Sequence, residues 1–481
     1  MNLYFEASKT LDSLDARAGS IKGILATLPE KDRKRTSALV IETLKYKAVL
    51  TQVINETDLL KVERKKITSM NLALVLVHDV LLAGGIQAGD GPIKQAILRH
   101  KTRLNGEFQR IKIKRGVKSN LELAHNGDDR AAQIPRYVRV NTLMWASDHA
   151  MDAFISNGYD LTDPFTSRQV SRGFAQDEHI PNLLLFSPQT TFHNDPLYKS
   201  GKIILQDKAS CFPAVVLSPP SREGTYVIDA TAAPGNKTSH LSAIMGNKGT
   251  LFAFERDRKR FKTLEMMLSK AGCQNVETLN LDFLTVDPQD EAYCKVTHMS
   301  GEVCQLNSLL DPSCSGSGIV NRLDHLLETE AEDESEKDER LTKLASFQLV
   351  MIKHAMKFPA VKRIVYSTCS VHATENEHVV RDALKSDEAE SGGFKLETPE
   401  NVLPLWNRRG LPEEMDNPSD AASLIRCSPS GDATNGFFVS CFVRREGGTN
   451  SAQKRSLDQV EPNVVEPKPR KKKKKKRNQN S

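Results

Sequence analysis

Apolar positions change rhythm along this chain. Up to about residue 122 they recur at helical intervals. In "KDRKRTSALVIETLKYKAVLTQVI", Leu39, Leu44 and Val49 recur at near-helical spacing with charges between them, the pattern of an amphipathic helix. "LALVLVHDVLLAG" (72–84) contains His78 and Asp79. It is too short and too polar to span a bilayer, and predicts a buried helix. Pro92 in "GPIKQAILRHKTRL" marks a helix start. "LAHNGDDRAAQIP" (123–135) breaks the rhythm with polar residues and predicts a linker. "RYVRVNTL" (136–143) then alternates as a strand does and opens a second region.

From residue 206 onward, short β-rich runs alternate with helical stretches. "TYVIDA" (225–230), "GTLFAF" (249–254), "NVETLNLD" (275–282), "QLNSLLD" (305–311) and "KRIVYST" (362–368) read as strands. "GFFVSCFVR" (436–444) reads as the last one, and "RKRFKTLEMMLSKAG" as a helix between the second and third. Such alternation predicts an α/β fold with a parallel sheet covered on both faces. The domains expected are a helical one over 1–122, a small region over 135–205, the sheet domain over 206–445 and a disordered tail over 446–481.

Composition adds three constraints. Of the net charge of +6, the tail stretch "KPRKKKKKKR" (468–477) supplies 9 basic residues, so the rest of the chain holds more acid than base. The basic character belongs to one tail, which with "KR" at 454–455 reads as a nuclear or nucleolar address. The 8 cysteines all lie at or beyond Cys211, with no C-x-x-C pair, and "MNLYFEASKT" lacks the basic start and apolar run of a secretion signal. Free thiols are expected, with neither a disulfide frame nor a zinc site. "ETEAEDESEKDE" (328–339), with 8 acids, reads as a solvated loop.

"VIDATAAPGNKT" (227–238) is a strand, an Asp, small residues, Pro-Gly and a Lys. Small side chains at Ala230, Ala232, Ala233 and Gly235 let a ligand approach the backbone, and a helix starting near Lys237 offers free N–H groups. Glu255 lies 20 residues past Gly235, the spacing of an acid that binds ribose hydroxyls, and Asp282 ends the next strand. Acids at three successive strand ends favour a nucleoside cofactor over an ordinary turn. Neither G-x-G-x-x-G nor G-x-x-x-x-G-K-[ST] is present, which disfavours NAD and a P-loop. S-adenosylmethionine fits best.

The candidate chemistry lies in two cysteines. Cys314 in "LLDPSCSGSG" (309–318) follows Asp-Pro, where many methyltransferases carry an aromatic residue. Cys369 in "VYSTCSV" (365–371) also sits just past a strand, and both should reach the ligand edge of one sheet. A buried cysteine is usually inert packing, but two beside a methyl-donor site suit methylation at cytosine carbon 5. That carbon is too weak a nucleophile to take a methyl group unaided. A thiolate adding to carbon 6 makes it enamine-like. An acid near N3 must stabilise the charge, and Asp311 is placed for it. Expelling the sulfur afterwards needs a helper.

Together, "DATAAPGNKT", "DPSCSGSG" and "YSTCS" resemble the Fmu/Sun family of RNA cytosine-5 methyltransferases over about residues 135–445. "DPSC" in place of "DPPC" resembles the eukaryotic branch acting on large-subunit ribosomal RNA. The resemblance implies a Rossmann-like methyltransferase sheet preceded by a small α/β RNA-binding region. It implies Cys369 as nucleophile, Cys314 as the aid to product release, and Asp311 and Lys237 as holders of the cytosine. It places the cofactor at Thr231, Ala232, Ala233, Pro234, Gly235, Asn236, Lys237, Glu255, Arg260, Asp282 and Asp311. Two positions depart from the family: Asn236 stands where Gly is usual, an exchange expected to be tolerated because Asn accepts left-handed backbone angles, and Ser313 replaces a second Pro.

The implied partners are large-subunit ribosomal RNA and pre-ribosomal particles. "RHKTRLNGEFQRIKIKRGVK" (99–118), with 8 Lys or Arg against one acid, is a candidate phosphate grip or a solvated helix face. Two other readings remain: a ribosome-assembly factor that binds RNA without catalysis, and an amino-group methyltransferase, which would not need Cys369.

Overall fold

The computed structural model describes residues 1–16, 18–19, 21–125, 129–294, 305–320, 326–327 and 334–445. The expected tail (446–481) and the first part of the acidic insertion (328–333) lie outside the described residues.

The helical expectation for the N-terminal region holds. Its helices include Asn2–Asp15, Glu30–Lys45, Lys47–Glu56, Met70–Leu81, Pro92–Arg99 and Lys101–Lys114. Met70–Leu81 is buried from Asn71 through Asp79, packed between Asn2–Asp15 and Lys47–Glu56. Ser69 caps it by accepting the Leu72 N–H at 3.1 Å. Such all-round burial explains the apolar run from Leu72 to Val77. Truncating the wholly buried Leu74 to Ala costs about 2–5 kcal/mol.

The small region folds as a five-stranded sheet of order β2-β3-β4-β1-β5. Its strands are β1 (Arg136–Val140), β2 (Asp160–Leu161), β3 (Gly173–Gln176), β4 (Leu183–Phe186) and β5 (Ile203–Leu205). The alternation in β1 predicts one exposed face, but both faces are buried. Val138 and Val140 pack with Phe154, Phe174 and Phe186. Tyr137 and Arg139 turn the other way onto the following domain: Tyr137 donates its hydroxyl to the Ala433 carbonyl, and Arg139 donates to Ser239 Oγ at 2.8 Å.

The larger sheet has order β11-β13-β10-β9-β6-β7-β8, with β12 paired to β13. Its strands are β6 (Thr225–Asp229), β7 (Thr250–Phe254), β8 (Val276–Leu279), β9 (Gln305–Leu310), β10 (Val361–Thr368), β11 (Phe394–Leu396), β12 (Ile425–Cys427) and β13 (Phe437–Arg444). β6 to β10 run parallel, and β13 joins β10 antiparallel. Consecutive residues face opposite layers: Val227, Leu251 and Leu309 pack with Phe212 and Leu241, whereas Ile228, Phe252 and Leu310 pack with Met351 and Ile352. Burial on both faces explains the continuous apolar runs.

The chain returns across β6, with β7 on one side and β9 on the other, which leaves a crevice at the carboxyl ends of these strands. The acidic insertion departs from the loop reading. Its end belongs to helix Glu334–Met356, where acids in the first turns complement the partial positive charge of a helix N-terminus.

Candidate active site

β6 ends at Asp229, which organises the turn after it. Asp229 accepts the Thr231 N–H at 3.3 Å and the Thr238 hydroxyl at 2.8 Å. Burial pushes its carboxyl up to about 6, against the pull of those two donors. The turn is tied sideways to β7 by the Ala232 N–H on the Phe254 carbonyl at 2.9 Å. Gly235 takes φ +109°, which only glycine adopts readily, and a Cβ there would meet Leu264 Cδ1 at 3.2 Å. Asn236 does not take the left-handed angle expected of it. It is the first residue of helix Asn236–Met245, and the strain falls on Gly235 instead. No side chain caps this helix, so its first N–H groups point out of the turn.

Glu255 follows β7 and is 5% exposed. It accepts the Asp257 N–H at 2.9 Å and lies 3.4 Å from Arg260, which also donates to the Ala233 carbonyl at 2.6 Å. Arg260 thus joins the turn to Glu255. Asp282, after β8, accepts the Leu284 N–H at 3.1 Å and faces Arg256 at 3.4 Å. Since β7 and β8 pair Phe254 with Leu279, these acids stand at neighbouring strand ends, beside the small-residue turn and the helix start that no side chain caps. That donor and acceptor set fits a nucleoside with two ribose hydroxyls, as in S-adenosylmethionine.

The next two strand ends carry the candidate reactive groups expected from the sequence. Asp311 follows β9, and its N–H donates to Thr231 Oγ1 at 3.1 Å, which locks it to the turn. Lys237 donates to Asp311 Oδ2 at 2.6 Å, and Ser367, next to it on β10, donates to Oδ1 at 2.8 Å. Burial disfavours the Lys237 ammonium, but the charge and bond of Asp311 hold its pKa above the ordinary lysine value. The ammonium also lies 5.3 Å over the Phe437 ring.

Cys314 and Cys369 meet at 2.9 Å between sulfurs. The Cys314 thiol is pushed far above its usual range, first by its hydrogen bond to Cys369, then by burial and by Asp311. These effects favour the protonated thiol at Cys314, and either sulfur can donate in the contact. Two glycines clamp these loops. The Gly318 N–H donates to the Cys369 carbonyl at 2.9 Å, and the Gly436 N–H to the Gly318 carbonyl at 2.8 Å. A Cβ on Gly318 would come within 2.1 Å of the Gly436 carbonyl oxygen.

The structure thus brings every site residue expected from the sequence to one sheet edge. Sequence reasoning missed Ser367 and Phe437. Only the register of β10 between β9 and β13 places them beside Asp311 and Lys237. Among the described residues, no cluster of three metal-ligating side chains is present, no helix is long and apolar enough to cross a membrane, and six cysteines carry no disulfide.

In helix Lys101–Lys114, Leu104, Phe108 and Ile111 face the bundle while the basic side chains point outward. Some of the charge of the 99–118 stretch is already engaged: Arg99, which ends the preceding helix, pairs with Glu63 at 2.7 Å and Arg110 with Glu107 at 2.6 Å.

Three family models match the chain. They are the N-terminal domain of NOL1/NOP2/Sun domain family member 5 over residues 34–124, the ferredoxin-like domain of the same family over 134–206, and 16S rRNA methyltransferase RsmB/F over 214–443. The chain is 44% identical over 440 residues to the 25S rRNA (cytosine-C(5))-methyltransferase rcm1 of Schizosaccharomyces pombe, covering 91% of this chain and 90% of the relative. It is 40% identical over 475 residues to a 28S rRNA (cytosine-C(5))-methyltransferase of Mus musculus, covering 97% and 96%. The crystal structure of PH0851 shares the fold at a TM-score of 0.56 and 20% identity, over 87% of this chain and 91% of that one.

Proposed function

The chain belongs to the rRNA (cytosine-C(5))-methyltransferases of the NOL1/NOP2/Sun domain family, and from that premise we propose which residues perform each step and on which RNA. The reaction is transfer of a methyl group from S-adenosylmethionine to carbon 5 of a ribosomal RNA cytosine. The observation that carries the residue assignment is the 2.9 Å approach of Cys314 and Cys369, beside the Lys237–Asp311 pair.

Cys369 gives up its proton to solvent and adds as the thiolate to carbon 6 of the cytosine, with the Cys314 sulfur 2.9 Å away. Asp311 meets the N3 edge of the ring, and the Lys237 ammonium behind it supplies the compensating positive charge. Glu255 and Asp282 would hold the ribose and adenosine portion of the donor, together with the Thr231–Lys237 turn. Bound there, S-adenosylmethionine supplies the methyl group that carbon 5 takes up. Water takes the carbon 5 proton, its electron pair re-forms the ring double bond, and the carbon 6–sulfur bond breaks with its pair returning to Cys369. Cys314 stabilises the departing Cys369 thiolate with its S–H. Covalent addition divides one hard substitution into easier steps.

The substrate is large-subunit rRNA within pre-ribosomal particles, reached in the nucleus and nucleolus. The exposed basic face of residues 99–118 grips phosphates without reading sequence, and the 454–477 stretch serves as the address. A non-catalytic assembly factor would have no need of the intact Cys369, Cys314 and Asp311. Bisulfite mapping of rRNA after loss of the protein tests the reading. One large-subunit cytosine should lose its methyl group and regain it with the wild-type chain but not with Cys369→Ala. An unchanged map contradicts it.

A further inference from the structure

Three consecutive polar residues, Glu375, Asn376 and Glu377, are wholly buried directly beyond the Cys369 loop. Burying carboxylates and amides is unfavourable unless each finds strong partners. An apolar residue would fill the same space more cheaply, so the destinations of their hydrogen bonds matter.

Glu375 turns to the Cys314 loop. Its Oε1 accepts the Ser315 N–H at 2.9 Å and its Oε2 accepts the Ser315 hydroxyl at 2.6 Å. Gln348 donates both to Glu375 Oε1 and to the Ser313 carbonyl, each at 3.0 Å. The residues on either side of Cys314 are therefore held by one carboxylate and its amide neighbour. Tyr366 locks the arrangement from β10 by donating its hydroxyl to the Glu375 carbonyl at 2.5 Å.

Asn376 turns to the other loop. Its Oδ1 accepts the Thr368 hydroxyl at 2.5 Å and its Nδ2 donates to the Ser370 carbonyl at 3.0 Å, which holds the residues on either side of Cys369. Glu377 extends the grip: it forms a two-pronged pair with Arg426 at 2.7 and 2.6 Å, and Arg426 donates to the Val371 carbonyl at 2.9 Å.

We propose that Glu375, Asn376 and Glu377 are positioning residues that set the two cysteines against each other. Glu375 fixes the Cys314 loop, and Asn376 and Glu377 fix the Cys369 loop. Because the residues are bonded in sequence, the two loops are fixed relative to one another. The inference rests on Cys369 as nucleophile and Cys314 as the aid to release. It adds that damage to neighbouring residues slows different steps: Glu375 release of the methylated RNA, Asn376 the initial attack.

The test uses the full chain, S-adenosylmethionine and a cytosine-containing rRNA fragment. It measures single-turnover adduct formation, adduct release and donor affinity in Glu375→Gln, Asn376→Asp and Ser315→Ala, with Cys314→Ala and Cys369→Ala as references. Glu375→Gln removes the carboxylate charge and the acceptor of the Ser315 hydroxyl, weakening the hold on the Cys314 loop, and release should slow about tenfold or more, the scale of one charged hydrogen bond. A denaturant-resistant RNA adduct should accumulate. Asn376→Asp keeps the Thr368 acceptor but loses the donor to Ser370, and attack should slow about as much, with little adduct. Donor affinity should stay unchanged in both. Ser315→Ala should slow release in the same direction even if Glu375→Gln fails to fold. Equal slowing of both steps together with lost donor affinity, or no slowing, would overturn the inference. If Cys314→Ala traps adduct and the Glu375 and Ser315 variants release normally, the positioning claim alone fails. If Cys314→Ala traps none, the cysteine roles fail, and the positioning claim then stands only if the Glu375 and Asn376 variants still slow different steps.

Discussion

Lys237 and Asp311, 74 residues apart in sequence, close a 2.6 Å ion pair between the first turn of a helix and the end of the neighbouring strand. It joins the two halves of the chemistry, because Lys237 leaves the donor turn and Asp311 leads into the Cys314 loop. Lys237→Met should therefore cut methyl transfer by roughly 10²-fold or more, the scale of losing one electrostatic stabiliser. Donor affinity should change far less. Pre-steady-state rates and calorimetry on the same protein separate the two.

Glu255→Ala should weaken S-adenosylmethionine binding about tenfold or more, since charged hydrogen bonds contribute roughly 1.5–3 kcal/mol. Titration calorimetry checks this, and an unchanged dissociation constant removes Glu255 from the site.

Gly318→Ala should abolish activity, since its Cβ would fall 2.1 Å from the Gly436 carbonyl oxygen, a backbone atom with nowhere to go. The Cys314 and Cys369 loops would separate while the donor turn stays intact. Activity lost with donor binding preserved is the expected pair of results.

Asp229 makes a pH prediction. Its folded carboxyl lies at about 6 against 3.8 for an ordinary aspartate. A raised carboxyl favours the folded state while protonated, so this contribution is complete below about pH 4 and is lost as pH rises through 6. The change is about 3 kcal/mol at 1.36 kcal/mol per unit. Melting curves of wild type and Asp229→Asn should diverge in pH dependence across that window, and parallel curves would contradict it.

The strand ends were legible because chemistry punctuates them: the apolar runs stop at Asp229, Asp311 and Cys369, and each stop falls on the same edge. Other features depend on partners far along the chain. β1 looks half-exposed until the larger domain covers Arg139, and β11 and β12, of three residues each, carry no run long enough to read. The left-handed angle of the turn falls on Gly235, so the tolerance of Asn236 for such angles is not called on. Ser367 and Phe437 look like ordinary strand residues, and only sheet register brings them to the site.

Removing residues 454–481 should shift the protein out of the nucleus and leave the catalytic domain folded, because the segment is too polar to contribute to a core. Imaging of a tagged truncation, with a melting curve of the purified protein, checks both halves.

The central claim is that Cys369 attacks and Cys314 releases, and trapping the RNA on each single-cysteine variant tests it most directly. Cys314→Ala, incubated with RNA and S-adenosylmethionine and run under denaturing conditions, should show a protein–RNA band that disappears without the donor. Cys369→Ala and the double variant should show none. A band from Cys369→Ala and none from Cys314→Ala would make Cys314 the nucleophile and contradict the account.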